Sequence, residues 1–177
     1  LVINYLDNKS INSNVLNSYE YGAPQKRKRL IVGEYIKPNK TLKKRNIKDV
    51  FKNLGAPSTN INTDRIISDL IFKDIKIKNT YLTDHYYDTT IPKDKWEQAQ
   101  QLKVDHGYMG KMSFPEDIQK PSRTVMATES YSTRECMLFA KENSEGEYRG
   151  ATIRELACFM GFPINYQFFG NRNNKHK

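Results

Sequence analysis

The sequence predicts a mixed α/β fold, because it contains two kinds of apolar periodicity. Short apolar runs between turn residues, at 15–19 and 29–35, are typical of strands. Apolar residues at helical spacing in 47–54 and 153–160 predict amphipathic helices. The 177 residues are enough for one domain, or for one domain and part of another.

The N-terminal elements are predicted to centre on a strand pair. Residues 2–6 are typical of a helix end, and 7–12 form a polar turn. The turn at 21–24 joins the strands 15–19 and 29–35 into a hairpin. Pro38 and Asn39 then mark a loop and a domain boundary.

Three helices are predicted in the middle of the chain. The first covers 46–54, with Asn46 as its cap, Gly55 after its end, and an apolar face of Ile47, Val50, Phe51 and Leu54. The second covers 64–72 and turns inward Ile66, Ile67, Leu70 and Ile71. The third covers 92–103, with Pro92 in its first turn and Gly107 beyond its end.

The C-terminal part is predicted to hold short strands and one capped helix. The best strand candidates are 124–126 and 137–139. Thr152 and Glu155 have the spacing of a capping box. The helix that they open carries Ile153, Leu156, Ala157 and Met160 at helical spacing and stops at Gly161. Trp96 and the aliphatic helix residues are assigned to the core, and the tail 171–177 is polar and basic.

Composition restricts the class of partner. The net charge of +9 points to a polyanion, most simply nucleic acid, although a merely basic protein has the same charge. No apolar stretch is long enough to cross a bilayer. The two cysteines are too few for a zinc site and indicate a reducing compartment. The N-terminus lacks the features of a signal peptide. Because the chain starts with Leu1 and not with an initiator Met, we expect it to be a piece of a longer protein.

The basic segment 21–29 is the most informative local feature. If it enters a strand, then Gln25, Arg27 and Arg29 share one face while Lys26 and Lys28 share the other. A row of forked donors suits a planar acceptor edge or a phosphate. The alternative is a solvated or nonspecific polyanion patch.

Other polar segments are candidates for contacts to nucleic acid. The basic residues Lys37, Lys40, Lys43, Lys44 and Arg45 either track phosphates or form a solvated linker. Loops that can approach base edges occur at 107–111, which includes Lys111, at 128–133, and at Ser122, Arg123 and Thr124. Residues 84–88 contain ligand-type side chains but lack further partners, so a packed or DNA-facing loop is predicted there and no metal site.

Two segments together resemble the cytosine-5 DNA methyltransferase family. The first, Tyr-Gly-Ala-Pro-Gln-Lys-Arg-Lys-Arg at 21–29, is similar to the family's Gln-x-Arg-x-Arg motif. The second, 148–163, is similar to its Arg-x-x-Thr-x-Arg-Glu…Gly-Phe-Pro motif. Residues 15–21 resemble the strand before the first motif, and 120–125 resemble a Thr-plus-aliphatic signature of the variable region between the two.

The resemblance implies a two-part architecture. Residues 1–37 are expected to be the C-terminal edge of a catalytic domain, an edge hairpin of an S-adenosylmethionine-dependent methyltransferase sheet. Residues 38–177 are expected to be a smaller mixed α+β target recognition domain, closed by the 149–163 motif. The motif residues expected to hold this domain on the catalytic domain are Arg149, Thr152, Arg154, Glu155, Gly161, Phe162 and Pro163.

The resemblance also implies a reaction: methyl transfer from S-adenosylmethionine to C5 of a flipped cytosine in a specific DNA duplex, in a bacterial restriction–modification system. Arg29 is then expected at the cytosine O2, with Arg27 and Gln25 positioning the backbone and the active-site loop. The nucleophilic Pro-Cys-Gln, the Glu-Asn-Val glutamate and the Gly-rich cofactor turn are not in this sequence. Neither Cys136 nor Cys158 has the context of a nucleophile, and a buried apolar role is expected for Cys158.

We therefore expect the C-terminal portion of a cytoplasmic, nucleoid-associated enzyme. Its partners are double-stranded DNA and the missing N-terminal catalytic half, and the segment alone is expected to be inactive. One alternative is the non-catalytic recognition subunit of a split methyltransferase, which the residues upstream of Leu1 would distinguish. Another is an unrelated basic RNA-binding or scaffold protein, in which Arg29 matters no more than any surface lysine.

Overall fold

The computed structural model describes residues 11–57, 64–105, 110–127, 133–142 and 144–169. The predicted helix end at 2–6, most of the loops 107–111 and 128–133, and the tail 171–177 lie outside these residues. The described part contains three α-helices and three two-stranded antiparallel sheets. This content confirms the mixed α/β class.

The predicted N-terminal hairpin is confirmed. Strand β1 (Asn12–Asn17) pairs antiparallel with β2 (Lys28–Gly33). Strand β1 ends earlier than predicted, because the Asn17 side chain accepts a hydrogen bond from the backbone of a 3-10 helix at Ser18–Tyr21. Gly22 ends this helix at φ 96°, where a Cβ would lie only 2.7 Å from the Arg45 guanidinium.

Helix α1 (Ile47–Leu54) has the predicted caps and apolar face. Asn46 and Asp49 form a capping box, and the Gly55 N–H closes the last turn. The side chains Ile47, Val50 and Leu54 are buried in the main core, with Phe51 packed against them. The Phe51 ring meets the ring of Phe139 edge-on, with centroids 4.9 Å apart.

The predicted helix at 64–72 is wrong. Strands β3 (Ile66–Ser68) and β4 (Lys76–Lys78) pair antiparallel there, and Ile66 is 64% exposed instead of facing inward. The reason is Asp69, whose carboxylate accepts the backbone N–H groups of Ile71 and Phe72. A short acidic side chain that bonds the next backbone groups favours a turn over a helix.

Helix α2 (Lys93–Val104) confirms the third predicted helix, with Pro92 at its N-cap. It packs on a second, smaller core of Ile91, Ala99, Cys136 and Leu138, with Trp96 and Phe114 beside it. Strand β5 (Leu138–Ala140) pairs with β6 (Tyr148–Gly150), so the prediction at 137–139 is confirmed within one residue.

The predicted strand at 124–126 is wrong. Its neighbour Ser122 forms a single parallel bridge to Gln25, and no ladder continues beyond it. The Thr124 hydroxyl instead donates to the Lys26 carbonyl. The segment at 124–126 therefore contacts the first motif segment through the Thr124 side chain and not through a ladder of backbone hydrogen bonds.

Helix α3 (Ile153–Met160) begins at the predicted capping box and ends at Gly161, with φ 83°. Its buried face differs from the predicted one. Arg154 and Glu155 are buried, whereas Met160 is 40% exposed. The ion pairs that Arg154 and Glu155 form with other elements, and not the apolar spacing, decide which face of α3 is buried. No helix in the described part of the chain is long and apolar enough to cross a bilayer.

Candidate functional site

The first motif segment is held on one side by the 3-10 helix. The Ser18 hydroxyl donates to the Gln25 carbonyl at 2.7 Å, and the Ser18 N–H donates to the Arg27 carbonyl at 3.1 Å. These bonds fix residues just before strand β2, which begins only at Lys28. The predicted alternation of side chains between two faces at 25–29 therefore begins before the strand does.

On its other side the same segment is held by Ser122. The Lys26 N–H donates to the Ser122 carbonyl at 2.9 Å, and the Ser122 N–H donates to the Pro24 carbonyl at 2.8 Å. Ser122 is buried and Thr124 is half-buried, and both contact the first motif. In this structure these two predicted base-reading residues support the motif.

The motif side chains differ in exposure. Gln25 is buried and its Nε2 has no hydrogen-bond partner among the described residues, while Arg27 is half-buried between exposed Lys26 and Lys28. Arg29 is exposed, and Nη1 donates to the Lys28 carbonyl at 2.7 Å. Burial thus follows the predicted alternation from 25 to 28 but does not extend to Arg29. The guanidinium of Arg29 faces solvent, where it is accessible to a ligand.

The tertiary structure brings the two motifs together. A Cβ added to Gly161 would lie 3.7 Å from the Ala23 Cβ, which is an ordinary packing distance. Pro24 lines the same small crevice as Phe162 and Ile164. The turn that opens the first motif segment and the end of the second segment are therefore neighbours, despite their distance along the chain.

Arg149 and Glu155 form a buried bidentate ion pair. The guanidinium nitrogens lie 2.8 and 2.9 Å from the two carboxylate oxygens. Glu155 also accepts the Thr152 N–H at 2.8 Å, which completes the capping box. The guanidinium carbon lies 4.6 Å from the centre of the Phe51 ring. This pair joins β6, α3 and α1.

Arg154 forms the second buried ion pair of the motif. Its Nε donates to Asp84 Oδ1 at 3.1 Å, and Nη2 lies 2.9 Å from Oδ2. Its Nη1 also donates to the carbonyls of Ile164 and Tyr166. These contacts, like those of Arg149 and Glu155, lie inside 38–177 and not between the two predicted domains. Asp84 is thus part of a packed loop.

His85 joins two helix ends. Nε2 lies 3.0 Å from the Gly55 carbonyl, and Nδ1 lies 3.0 Å from the Thr152 hydroxyl. Because that hydroxyl accepts the Glu155 N–H, its proton is free to be donated to Nδ1, and Nε2–H donates to Gly55. This arrangement requires a neutral imidazole. Burial lowers the pKa of His85, against an opposing contribution from the Glu155 carboxylate.

We expect the free energy of unfolding to fall as the pH drops below about 6.5. The native pKa of His85 lies below that of the unfolded chain, so the unfolded state binds more protons in this window. Urea unfolding at several pH values checks this. His85→Asn should flatten the pH dependence. An unchanged slope in His85→Asn would contradict the assignment.

The predicted phosphate contacts separate into two groups. Lys43 and Lys44 are exposed, as is Lys111 of the predicted base-approaching loop, and the Lys44 ammonium lies 5.5 Å from the centre of the Tyr19 ring. Arg45 is buried, and it donates to backbone carbonyls at 2.8 and 2.7 Å. In this structure Arg45 joins the backbone at Gly22 to the backbone at Leu70.

Arg123 belongs to a buried charge cluster that the sequence analysis missed. It donates to Glu116 and to the Cys136 carbonyl. Lys103 is fully buried beside them, with its ammonium 3.6 Å from Glu116 and donating to the carbonyls of Cys136 and Arg134. Burial lowers the pKa of Lys103, and the Arg123 guanidinium acts in the same direction. One feature of the sequence could have indicated the burial of Lys103. It follows Ala99, which is buried, by four residues, so both lie on the same face of α2.

The cysteines occupy apolar surroundings. Cys136 is fully buried, and Cys158 packs against the main core. Burial raises the pKa of the Cys158 thiol to about 12, so the thiolate needed for nucleophilic attack is not formed at neutral pH. Among the described residues, no glycine-rich turn joins a strand to a helix, so the part of the chain that the structure describes does not offer a cradle of this kind for a nucleoside cofactor.

Comparison with known proteins identifies a family for the chain. No curated protein matches the chain. The family model described as C-5 cytosine-specific DNA methylase matches residues 6–177, which includes both motif segments and everything between them. The chain therefore belongs to the C-5 cytosine-specific DNA methylase family.

Proposed function

We propose that this chain supplies DNA recognition and part of the base pocket of a DNA (cytosine-5)-methyltransferase. The complete enzyme transfers a methyl group from S-adenosylmethionine to C5 of a cytosine flipped out of a specific duplex site. The observation that carries the proposal is the meeting of the two motif segments, with Ala23 and Pro24 packed against the turn that ends α3. The family match supports the reaction class.

Arg29 is the residue that we assign to the base. It lies in a hydrogen-bonded hairpin and its guanidinium is exposed, so a ligand can reach it without unfolding of the chain. A fixed guanidinium at the cytosine O2 stabilises the negative charge that develops on the ring when a nucleophile adds to C6. Arg27 and Gln25 have the positioning role, because their carbonyls accept hydrogen bonds from Ser18.

We assign the two parts of the chain to different domains of the enzyme. Residues 1–37 belong to the edge of the catalytic domain, and 38–177 form the target recognition domain. Arg149, Arg154 and Glu155 stabilise the recognition domain from inside. The cofactor S-adenosylmethionine and the nucleophilic cysteine belong to the catalytic half, since this sequence contains neither a Pro-Cys-Gln nor a Glu-Asn-Val motif.

Methyl transfer and duplex binding by the chain test the proposal. We expect the 177-residue chain to bind duplex DNA in a salt-dependent way and to transfer no methyl group from labelled S-adenosylmethionine. Addition of a polypeptide that carries the Pro-Cys-Gln half should restore transfer. Methyl transfer by the chain alone, or the absence of duplex binding, would overturn the proposal.

A further inference from the structure

A groove beside the first motif is lined mainly by basic side chains. It runs between the loop at 43–45 and helix α1, and Asn53 and Leu70 line it. The lysines Lys43, Lys44 and Lys52 line it as well, and all three are exposed. Lys52 was not among the contacts predicted from the sequence.

The groove lysines form no ion pair with a carboxylate of the described residues. The acidic side chain in the groove is Asp49, and its carboxylate accepts the Asn46 N–H at 2.8 Å to cap helix α1. Several lysines elsewhere do have such a partner, with a carboxylate oxygen within 3.7 Å of Lys78, Lys93, Lys95, Lys120 and Lys141. The groove thus concentrates positive charge that the fold itself does not neutralise.

The groove is also tied to the first motif. Arg45 donates from one nitrogen to the Gly22 carbonyl at 2.8 Å and from another to the Leu70 carbonyl at 2.7 Å. Gly22 lies in the turn that leads into the Gln-x-Arg-x-Arg segment. An anion held in the groove would therefore sit at a fixed position relative to that segment.

We propose that this groove binds backbone phosphates of the duplex through Lys43, Lys44 and Lys52, and that Arg45 is a positioning residue. Contacts to phosphate set the register of a protein on DNA without reading sequence. Here they would hold the duplex in register with Arg29. The inference rests on the proposed function, since it assumes that the chain binds duplex DNA.

The salt dependence of binding tests the groove. Affinity of the 177-residue chain for a fluorescein-labelled duplex of random sequence is measured by anisotropy over a range of salt concentrations. The slope of log affinity against log salt is negative, and removal of one lysine–phosphate interaction decreases its magnitude by about 0.9. We expect this decrease for Lys43→Ala and for Lys52→Ala, and a slope close to that of the parent chain for Lys93→Ala.

Two outcomes would overturn the inference, and they can be told apart. A slope for Lys52→Ala equal to that of Lys93→Ala, in a chain that still binds the duplex, overturns the groove alone. No duplex binding by the parent chain overturns the proposed function together with the groove. Lys52 and Lys93 are both exposed helix residues, so circular dichroism should show the same fold for both variants.

Discussion

Arg154→Met is expected to lower the free energy of unfolding by about 3–5 kcal/mol. The substitution keeps an unbranched side chain in α3 but leaves the Asp84 carboxylate buried without its cation. It also removes the donor for the carbonyls of Ile164 and Tyr166. An unpaired buried charge costs far more than the pair contributes, because the remaining ion has lost both water and its partner.

Urea unfolding of the same variant, followed by circular dichroism, measures this decrease in stability. The matched control is Lys141→Met, which breaks an exposed ion pair with Glu147 and should change stability by less than about 1 kcal/mol. The double variant Arg154→Met with Asp84→Asn should recover part of the stability, since no unpaired carboxylate remains at this site. A decrease for Arg154→Met as small as that of the control would show that the pair is not buried in solution.

Arg29→Ala is expected to lower the turnover of the complete methyltransferase by about 10²–10³-fold, the effect of removing one preorganised donor from a developing anion. Stability should change by less than about 0.5 kcal/mol, because the guanidinium is exposed and, within the described part of the chain, its hydrogen bond goes to the neighbouring Lys28 carbonyl. The large effect on turnover and the small effect on folding distinguish this residue from Arg154.

Single-turnover methylation of a duplex substrate, with affinity measured in parallel, checks the Arg29 prediction. Lys28→Ala is the control, since Lys28 is the adjacent exposed cation in the same strand. It should weaken binding slightly and leave the rate of methyl transfer unchanged. Equal decreases in the two variants would mean that Arg29 is an ordinary surface cation, as a general basic RNA-binding or scaffold protein would have.

The sequence predicted best those elements whose ends are determined by residues close to them in the chain. Helices α1 and α3 begin and end where their caps are, because a capping box and a following glycine act within one turn of the helix. The 64–72 segment failed for a local reason as well, since the Asp69 carboxylate outcompetes the helical hydrogen bonds. At 124–126 the error came from a partner distant in the chain, which no periodicity reveals.

Charged residues show the limit of prediction from sequence most clearly. Arg45 and Arg123 were assigned to DNA by residue type, yet both are engaged inside the fold. Lys103 was not singled out and is fully buried. Residue type gives the chemistry that a side chain can perform, but burial and available partners decide whether it faces a ligand or the interior.

The sequence by itself determined the family and the mixed α/β class, because these depend on residue order and local spacing. Only the tertiary structure decided that the motifs meet, that Ser122 supports Gln25, and that Lys43, Lys44 and Lys52 line one groove. The physical reason is that packing and ion pairing join residues distant in the chain, and such contacts leave no periodic trace along it.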